Sequence, residues 1–174
     1  MDGSRRAVAA PTIVASTAIA TASQVMVRPV EYAALVNVSS TDLAPAGNGT
    51  PATTLLELAK AAGKSVGAVT TTRVTHATPA ATYSHICHRD GENQIAAQGT
   101  PTNALYNAAL KDGLDVLLGG GRRHYLPQGT AGSKRTDTTD LIGQFTAANY
   151  KYVSTGTQLA AVDPASTTKL LGLF

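Results

Sequence analysis

The chain has 174 residues, of which 14% are charged and 5% are aromatic, and its formal net charge is +3. This length suffices for one domain with a real core, and the small charge, without any block of like charges, excludes the usual signature of a nucleic-acid-binding protein. A lone cysteine, Cys87, excludes an intrachain disulfide, and no run is long and apolar enough to span a membrane.

The first part of the chain, residues 1–49, is an irregular or signal-like segment. Residues 4–6 form a basic start, residues 7–20 are mostly apolar, and residues 20–22 offer a small-residue cleavage site. This order is typical of an export signal. On this interpretation we expect the protein to be periplasmic or secreted.

From Pro51 onward the pattern alternates between helix and strand. The pattern predicts helices at 53–62, 79–88, near 101–111 and at 137–149, strands at 65–72, 114–118 and 150–154, and a final apolar run from Leu170 to Phe174. Such alternation favours an α/β domain over residues 50–174, with a mainly parallel sheet and flanking helices. We expect the sheet to end in unpaired edges and the apolar run to be exposed, which is an aggregation hazard.

The block from Gly63 to Asp90 is the most informative stretch. It reads GKSVGAVTTTRVTHATPAATYSHICHRD, so His76 and Thr78 lie in a polar turn between a predicted strand and a helix that begins at Pro79. Ligands of open α/β sheets bind at the carboxyl ends of the strands, which is where this turn lies. Arg89 follows the predicted helix, and a planar guanidinium can hold two phosphate oxygens at once.

This block resembles the alkaline phosphatases, whose sequences carry a GKSVG-type strand, an R-V-x-H-A-T-P segment and a short helix that ends in arginine. The likeness continues through the glycine-rich turn at 119–121 and the closing residues 163–174, so it covers roughly residues 50–174. The resemblance implies an incomplete alkaline-phosphatase-like α/β fold. It also implies metal-dependent hydrolysis of small phosphate monoesters through a serine phospho-enzyme, in a protein that forms homodimers.

The resemblance assigns a role to each matching residue. Thr78 matches the magnesium-ligand position, His76 matches a neighbouring position on the magnesium side, and Arg89 matches the arginine that grips the substrate phosphate. Mg²⁺ and Zn²⁺ are the cofactors implied. The family's E-G-G-R-I-D-H-x-x-H-type zinc segment does not occur here, and the four histidines show no zinc-ligand spacing. We therefore expect the activity of this chain to be impaired.

The N-terminal segment has a second interpretation, incompatible with an export signal. Residues 15–22 resemble the family's D-S-A-x-x-A-T-A nucleophile segment, which would make Ser16 the nucleophile. The family's metal-bridging aspartate is replaced here by Ala15. Since alanine cannot ligate a metal, Ser16 would lack its main activation.

Each candidate also has a plainer interpretation. Arg89 is then a surface arginine paired with Asp90 or Glu92, and Thr78 caps a helix. His85 and His88 are surface or core histidines, and the two arginines after Gly121 belong to a structural turn. Two alternatives to the enzyme also follow: an inactive phosphate-binding module that keeps Arg89 and lacks the metal ligands, and a non-functional fragment that forms only a partial fold.

Overall fold

A four-stranded parallel sheet organises the part of the chain that the computed structural model describes, residues 53–86, 89–101 and 113–174. In chain order its strands are β1 (Gly67–Arg73), β2 (Val116–Gly120), β3 (Lys151–Val153) and β4 (Leu170–Leu173). Their spatial order is β1-β2-β4-β3, and every neighbouring pair is parallel. The predicted parallel sheet is confirmed, and its carboxyl ends lie along one edge.

Five short helices and one 3₁₀ turn accompany the sheet among the described residues. The helices are α1 (Leu55–Ala61), α2 (Ala77–Ala80), α3 (Glu92–Gln98), α4 (Leu141–Ala147) and α5 (Gly156–Ala160), and the 3₁₀ turn is Arg122–His124. None of these helices is long and apolar enough to cross a membrane. Helix α1 confirms the helix predicted at 53–62, and a capping box between Thr54 and Glu57 starts it.

The apolar run at the end of the chain is not an exposed terminus, and that prediction is wrong. Strand β4 pairs with β2 on one side and with β3 on the other, so it lies inside the sheet. Leu171 and Leu173 are completely buried, and only Phe174 remains about half exposed. The unpaired edges predicted for the sheet are β1 and β3, each of which has one neighbour among the described strands.

The helix predicted at 79–88 is much shorter and begins earlier. Helix α2 starts at Ala77 and ends at Ala80, with Pro79 inside its first turn, where a missing N–H costs nothing. The hydroxyls of Thr82 and Ser84 then donate hydrogen bonds to the carbonyl oxygens of Pro79 and Ala80, respectively.

The side-chain amide of Gln98 keeps the chain from continuing as a helix. It accepts from the His85 N–H at 2.7 Å and donates to the His85 carbonyl at 2.8 Å. Both main-chain polar groups of His85 are therefore hydrogen-bonded to a side chain on α3. Cys87 and His88, the rest of the predicted helix, lie outside the described residues.

The helix predicted at 137–149 is present but starts later. Asp140, not Asp137, caps α4, and its carboxylate accepts from the Gly143 N–H at 3.0 Å. Asp137 instead binds the guanidinium of Arg135 and accepts from the Thr139 N–H, which turns the chain before the helix. The strand predicted at 150–154 is confirmed as β3. The N-terminal segment 1–49 and nearly all of the helix predicted near 101–111 lie outside the described residues.

The core lies between the sheet and the helices that follow β1 and β2. Strand residues Leu117 and Leu171 are completely buried, as are Ile95 of α3 and Phe145 of α4. The ring of Phe145 meets that of Tyr150 edge to face, with centroids 4.8 Å apart. Apolar burial on both faces of the central strands stabilises the fold.

Close approach of β1 and β2 depends on glycine. A Cβ on Gly119 would lie 2.7 Å from the Thr70 Cγ2 atom, 2.9 Å from the Val74 Cγ1 atom and 3.0 Å from the Thr72 carbonyl oxygen. The register between β1 and β2 shifts between Val69 and Arg73, which brings the end of β1 over this position. Gly119 therefore sets how closely the two strands converge towards their carboxyl ends.

We predict that Gly119→Ala lowers the free energy of unfolding by about 1–3 kcal/mol, the usual cost of overpacking a filled site. Gly156→Ala is the matched control, because a Cβ there meets nothing within 4 Å. That control should change stability by less than about 1 kcal/mol. Urea unfolding followed by circular dichroism measures both variants. Equal urea midpoints would contradict the packing described here.

Candidate functional site

The candidate site begins where β1 ends. The Val74 N–H donates to the Gly120 carbonyl at 3.0 Å, and the His76 N–H donates to the Arg73 carbonyl at 2.9 Å. The chain thereby turns sharply into α2, with His76 as its N-cap residue. Because the His76 side chain makes no capping hydrogen bond, its imidazole is available for another contact.

That contact is Arg89. The Arg89 Nη2 atom lies 3.2 Å from the His76 Nε2 atom. A guanidinium can only donate, so Nε2 accepts this hydrogen bond and the ring hydrogen lies on Nδ1. Nδ1 is buried and has no hydrogen-bond partner among the described residues. The structure thus brings together two of the residues that the sequence singled out, 13 positions apart.

The remaining predicted site residues are placed differently. Thr78 lies two residues after His76, on α2, and is exposed, as is Arg89. Ser16 lies outside the described residues. His85 is not on a helix, and its Nε2 atom lies 2.9 Å from the Glu57 Oε1 atom. Glu92, a predicted partner of Arg89, binds Arg73 instead.

Glu92 is the centre of a polar cluster that sequence reasoning missed. Its carboxylate accepts from the Arg73 Nε and Nη2 atoms at 2.8 and 2.9 Å and from the Thr75 hydroxyl at 2.5 Å. His124 Nε2 lies 3.3 Å from the same carboxylate. Burial alone raises the pKa of Glu92, but the hydrogen bonds from Arg73 and Thr75 outweigh it and lower the pKa below 4.5. Glu92 is therefore ionised at neutral pH.

His124 joins this cluster as an uncharged ring. Burial lowers its pKa despite the attraction of Glu92, and the neighbouring arginines lower it further. Arg123 Nε donates to His124 Nε2 at 3.1 Å, and His124 Nδ1 lies 2.8 Å from the Asn93 Oδ1 atom. These two bonds fit one tautomer, with hydrogen on Nδ1. His124 thus links the turn after β2 to α3.

Arg135 holds the far side of the cluster. It is only 7% exposed, and its Nη1 atom donates to the carbonyls of His124 at 3.0 Å and Asn93 at 3.2 Å. Asp137 receives its other donors at 3.0 and 2.7 Å. The predicted structural turn after Gly121 is therefore present, and Arg135 ties it to α3.

The described residues do not by themselves make up a metal site. His76 offers one imidazole and Thr78 one hydroxyl, whereas Mg²⁺ prefers an oxygen shell that includes carboxylates. Glu92 is engaged by Arg73 and Thr75. Within the described ranges, no group of three or more histidine, cysteine or acidic side chains is arranged to hold a metal. These residues alone do not fit a complete magnesium or zinc site.

A sequence signal for the missed residues existed but was weak. Arg73 and Thr75 lie inside the same block as His76, and Glu92 follows Arg89 by three positions. Nothing in the spacing shows that Glu92 turns back to β1 and not to Arg89. That choice depends on how β1 and α3 pack.

Comparison with known proteins gives one consistent result. The family model for alkaline phosphatase matches residues 3–174. The tissue-nonspecific alkaline phosphatase isozyme of Rattus norvegicus is 39% identical over 150 residues, which cover 72% of this chain and 28% of that protein. The chain thus spans less than a third of the length of this relative.

Solved structures agree in fold. The alkaline phosphatase of Thermus thermophilus is 39% identical with a TM-score of 0.58, covering 73% of this chain and 23% of that chain. A histidine-to-aspartate variant of the alkaline phosphatase of the Antarctic bacterium TAB5, with Mg bound in its M3 site, is 26% identical. Its TM-score is 0.53, and the match covers 72% of this chain and 31% of that chain.

We predict a pH-dependent contribution of Glu92 to stability. Because its folded-state pKa lies below the ordinary value of 4.5, the contribution is fully present above pH 4.5 and disappears as the pH falls through the folded-state pKa. The wild type should therefore exceed Glu92→Gln in free energy of unfolding at pH 7, and the difference should shrink below pH 4.5. Urea titrations from neutral to acidic pH measure it. A difference that stays constant or grows in acid would contradict the ion pairing.

Proposed function

We propose that this chain takes part in the hydrolysis of phosphate monoesters, because it belongs to the alkaline phosphatase family. The observation that carries the proposal is the exposed guanidinium of Arg89, which lies beside His76 at the carboxyl edge of the sheet. Ligands of open α/β sheets bind at this edge. The chain spans less than a third of its relatives, so activity and substrates are both part of the proposal.

Arg89 binds the phosphate group of the substrate in this proposal. Its planar guanidinium presents parallel N–H donors that match two phosphate oxygens. Support comes from the pairing of Glu92, which accepts from Arg73 and Thr75 and not from Arg89. The charge of Arg89 is therefore not neutralised by Glu92, and its side chain faces solvent.

His76 and Thr78 form the magnesium side of the proposed site. Family membership implies Mg²⁺ and Zn²⁺ as cofactors, and the TAB5 variant has Mg bound in its M3 site. When bound, divalent cations would supply charge stabilisation for the phosphoryl oxygens and for the attacking and leaving oxygens. Thr78 would contribute a hydroxyl oxygen, and His76 would contribute its Nε2 atom once that atom releases the hydrogen bond from Arg89. The other ligands, including those for zinc, would have to come from outside the described residues.

Ser16 is the proposed nucleophile. Its Oγ atom attacks phosphorus, the alcohol leaves, and water then releases phosphate from the serine phospho-enzyme. Ala15 occupies the position where the resemblance expects a metal-bridging aspartate. Without that carboxylate the hydroxyl is poorly activated, so we propose that turnover is impaired.

A phosphate-binding module without turnover is the second candidate function. Two observations favour it: the exposed Arg89 is available to an anion, whereas Ala15 removes a carboxylate that the chemistry needs. A partial, non-functional fold is the remaining alternative. The resemblance implies a homodimer. A periplasmic or secreted location follows from the interpretation of the N-terminal segment as an export signal, which excludes Ser16 as the nucleophile.

Phosphate affinity provides the first test. We predict that Arg89→Ala weakens the binding of inorganic phosphate about ten- to hundredfold, because it removes charge-assisted hydrogen bonds. The phosphate affinity of Arg89→Lys should lie between those of the wild type and Arg89→Ala, because lysine keeps the charge and loses the planar guanidinium. Calorimetric titration of the folded chain measures the dissociation constants.

Arg122→Ala is the matched control for that test, because Arg122 is also exposed and follows the carboxyl end of β2. Its affinity should stay within about twofold of the wild type. Equal losses in the two alanine variants would mean that phosphate senses only the net charge of this edge, which contradicts a specific role for Arg89.

Turnover provides the second test. With Mg²⁺ and Zn²⁺ supplied, we predict slow hydrolysis of p-nitrophenyl phosphate that Ser16→Ala abolishes and that Ala15→Asp increases about tenfold or more. Ser23→Ala is the control within the same segment. If the wild type binds phosphate but neither it nor Ala15→Asp turns substrate over, the binding module is the correct function.

A further inference from the structure

Glu92 connects the two halves of the proposed phosphate site. It is the first residue of α3 and follows Arg89 by three positions. Its carboxylate accepts from Arg73, at the end of β1, and from Thr75, the residue before His76. One side chain on the Arg89 segment therefore holds the main chain that carries His76.

The connection to Thr75 lies inside the protein. Thr75 is completely buried, and the side chain of Glu92 is 12% exposed, whereas that of Arg73 is 39% exposed. A buried hydroxyl that loses its acceptor is left unpaired, which is costly. Thr75 thus cannot shift independently of Glu92, and His76 and the start of α2 follow Thr75 directly along the chain.

The turn after β2 lies close to the same carboxylate on its other side. His124 Nε2 lies 3.3 Å from the Glu92 Oε2 atom and Arg123 Nη2 lies 3.8 Å from the Oε1 atom. Arg135 in turn holds the carbonyls of His124 and Asn93. The hydrogen bonds that fix the Glu92 carboxylate therefore come from the end of β1 and from Thr75, and the turn after β2 adds the positive charge of Arg123 nearby.

We propose that Glu92 is a positioning residue, which through Thr75 and Arg73 holds the loop of His76 and Thr78 in register with Arg89. The inference rests on the proposed function, because it assigns Glu92 a role in that same site. Glu92 touches neither phosphate nor metal in this role. It determines where the groups that do so are placed, as buried partners of ligand residues commonly do.

A substitution at Thr75 tests the positioning role most specifically. Thr75→Val keeps the size and branching of the side chain and removes the hydroxyl, while Glu92 keeps its pair with Arg73. We expect phosphate affinity to fall about tenfold. Thr75→Ser restores the hydroxyl and should restore the affinity. A packing role alone would not separate valine from serine in this way.

Glu92→Gln removes the charge from the same link and should weaken phosphate binding by at least as much. Asp115→Asn is its matched control. Asp115 accepts from Lys60 at 3.1 and 3.2 Å and from the Val66 N–H at 2.7 Å, but it precedes β2 at the opposite, amino edge of the sheet. The Asp115→Asn variant should keep its phosphate affinity within about twofold of the wild type, even if the substitution destabilises the fold.

Amide hydrogen exchange of the ligand-free chain tests the geometry without any activity. In Thr75→Val and Glu92→Gln, the amides of residues 76–78 and 89–91 should exchange about tenfold faster than in the wild type, while those of β2 and β4 keep their rates. Uniform acceleration across the sheet would indicate a purely structural role and overturn the inference.

The outcomes separate this inference from the proposed function. If Arg89→Ala binds phosphate like the wild type, the proposed function fails, and the exchange rates at 76–78 decide whether Glu92 positions the loop. If binding depends on Arg89 but Thr75→Val retains full affinity, the positioning role is overturned while the proposed function stands.

Discussion

The parallel pairing of β1 with β2 is the constraint on which the rest of the described structure depends. Parallel strands deliver their carboxyl ends to the same edge, and here the strands converge because Gly119 has no side chain in the path of Thr70 and Val74. The turn after β1 carries His76, and the turn after β2 carries His124. Both turns therefore arrive within reach of one carboxylate on α3. The polar cluster is a consequence of the sheet's connectivity.

Burial of a carboxylate at such a junction is favourable only when it is fully paired. Desolvation by itself raises the pKa of Glu92, but a bidentate arginine and a buried threonine hydroxyl stabilise the ionised form and lower the pKa. His124 stays uncharged because burial and the adjacent arginines disfavour its protonation. The cluster thus combines one fixed negative charge with several cations. Glu92 pairs with Arg73, and Arg89 hydrogen-bonds with His76 instead.

Periodicity predicted much of the sheet and little of the cluster. The β-branched run of β1 and the apolar residues of β2 indicate strands, and their alternation with helices indicates parallel pairing. The exposure predicted for β4 is wrong because the pattern Leu-Leu-Gly-Leu is too short to show whether a strand pairs with neighbours on both sides. Helix α3 follows Gly91 and carries few apolar residues, so its pattern is weak. Glu92 meets partners 17 and 19 positions away, and separations of that kind depend on packing, which local pattern does not record.

Arg89 and Arg73 show how contacts in the fold distinguish two arginines that could both be proposed to bind phosphate. Both are arginines near the carboxyl end of β1, yet Arg73 donates two hydrogen bonds to Glu92, whereas Arg89 donates one to an imidazole nitrogen of His76. An arginine held bidentately by a carboxylate must break that pair before it can hold a phosphate in the same way, while one bound to a histidine gives up only a single hydrogen bond. The energetic difference between these two exchanges favours Arg89 as the anion-binding residue. Arg73 belongs instead to the polar cluster around Glu92.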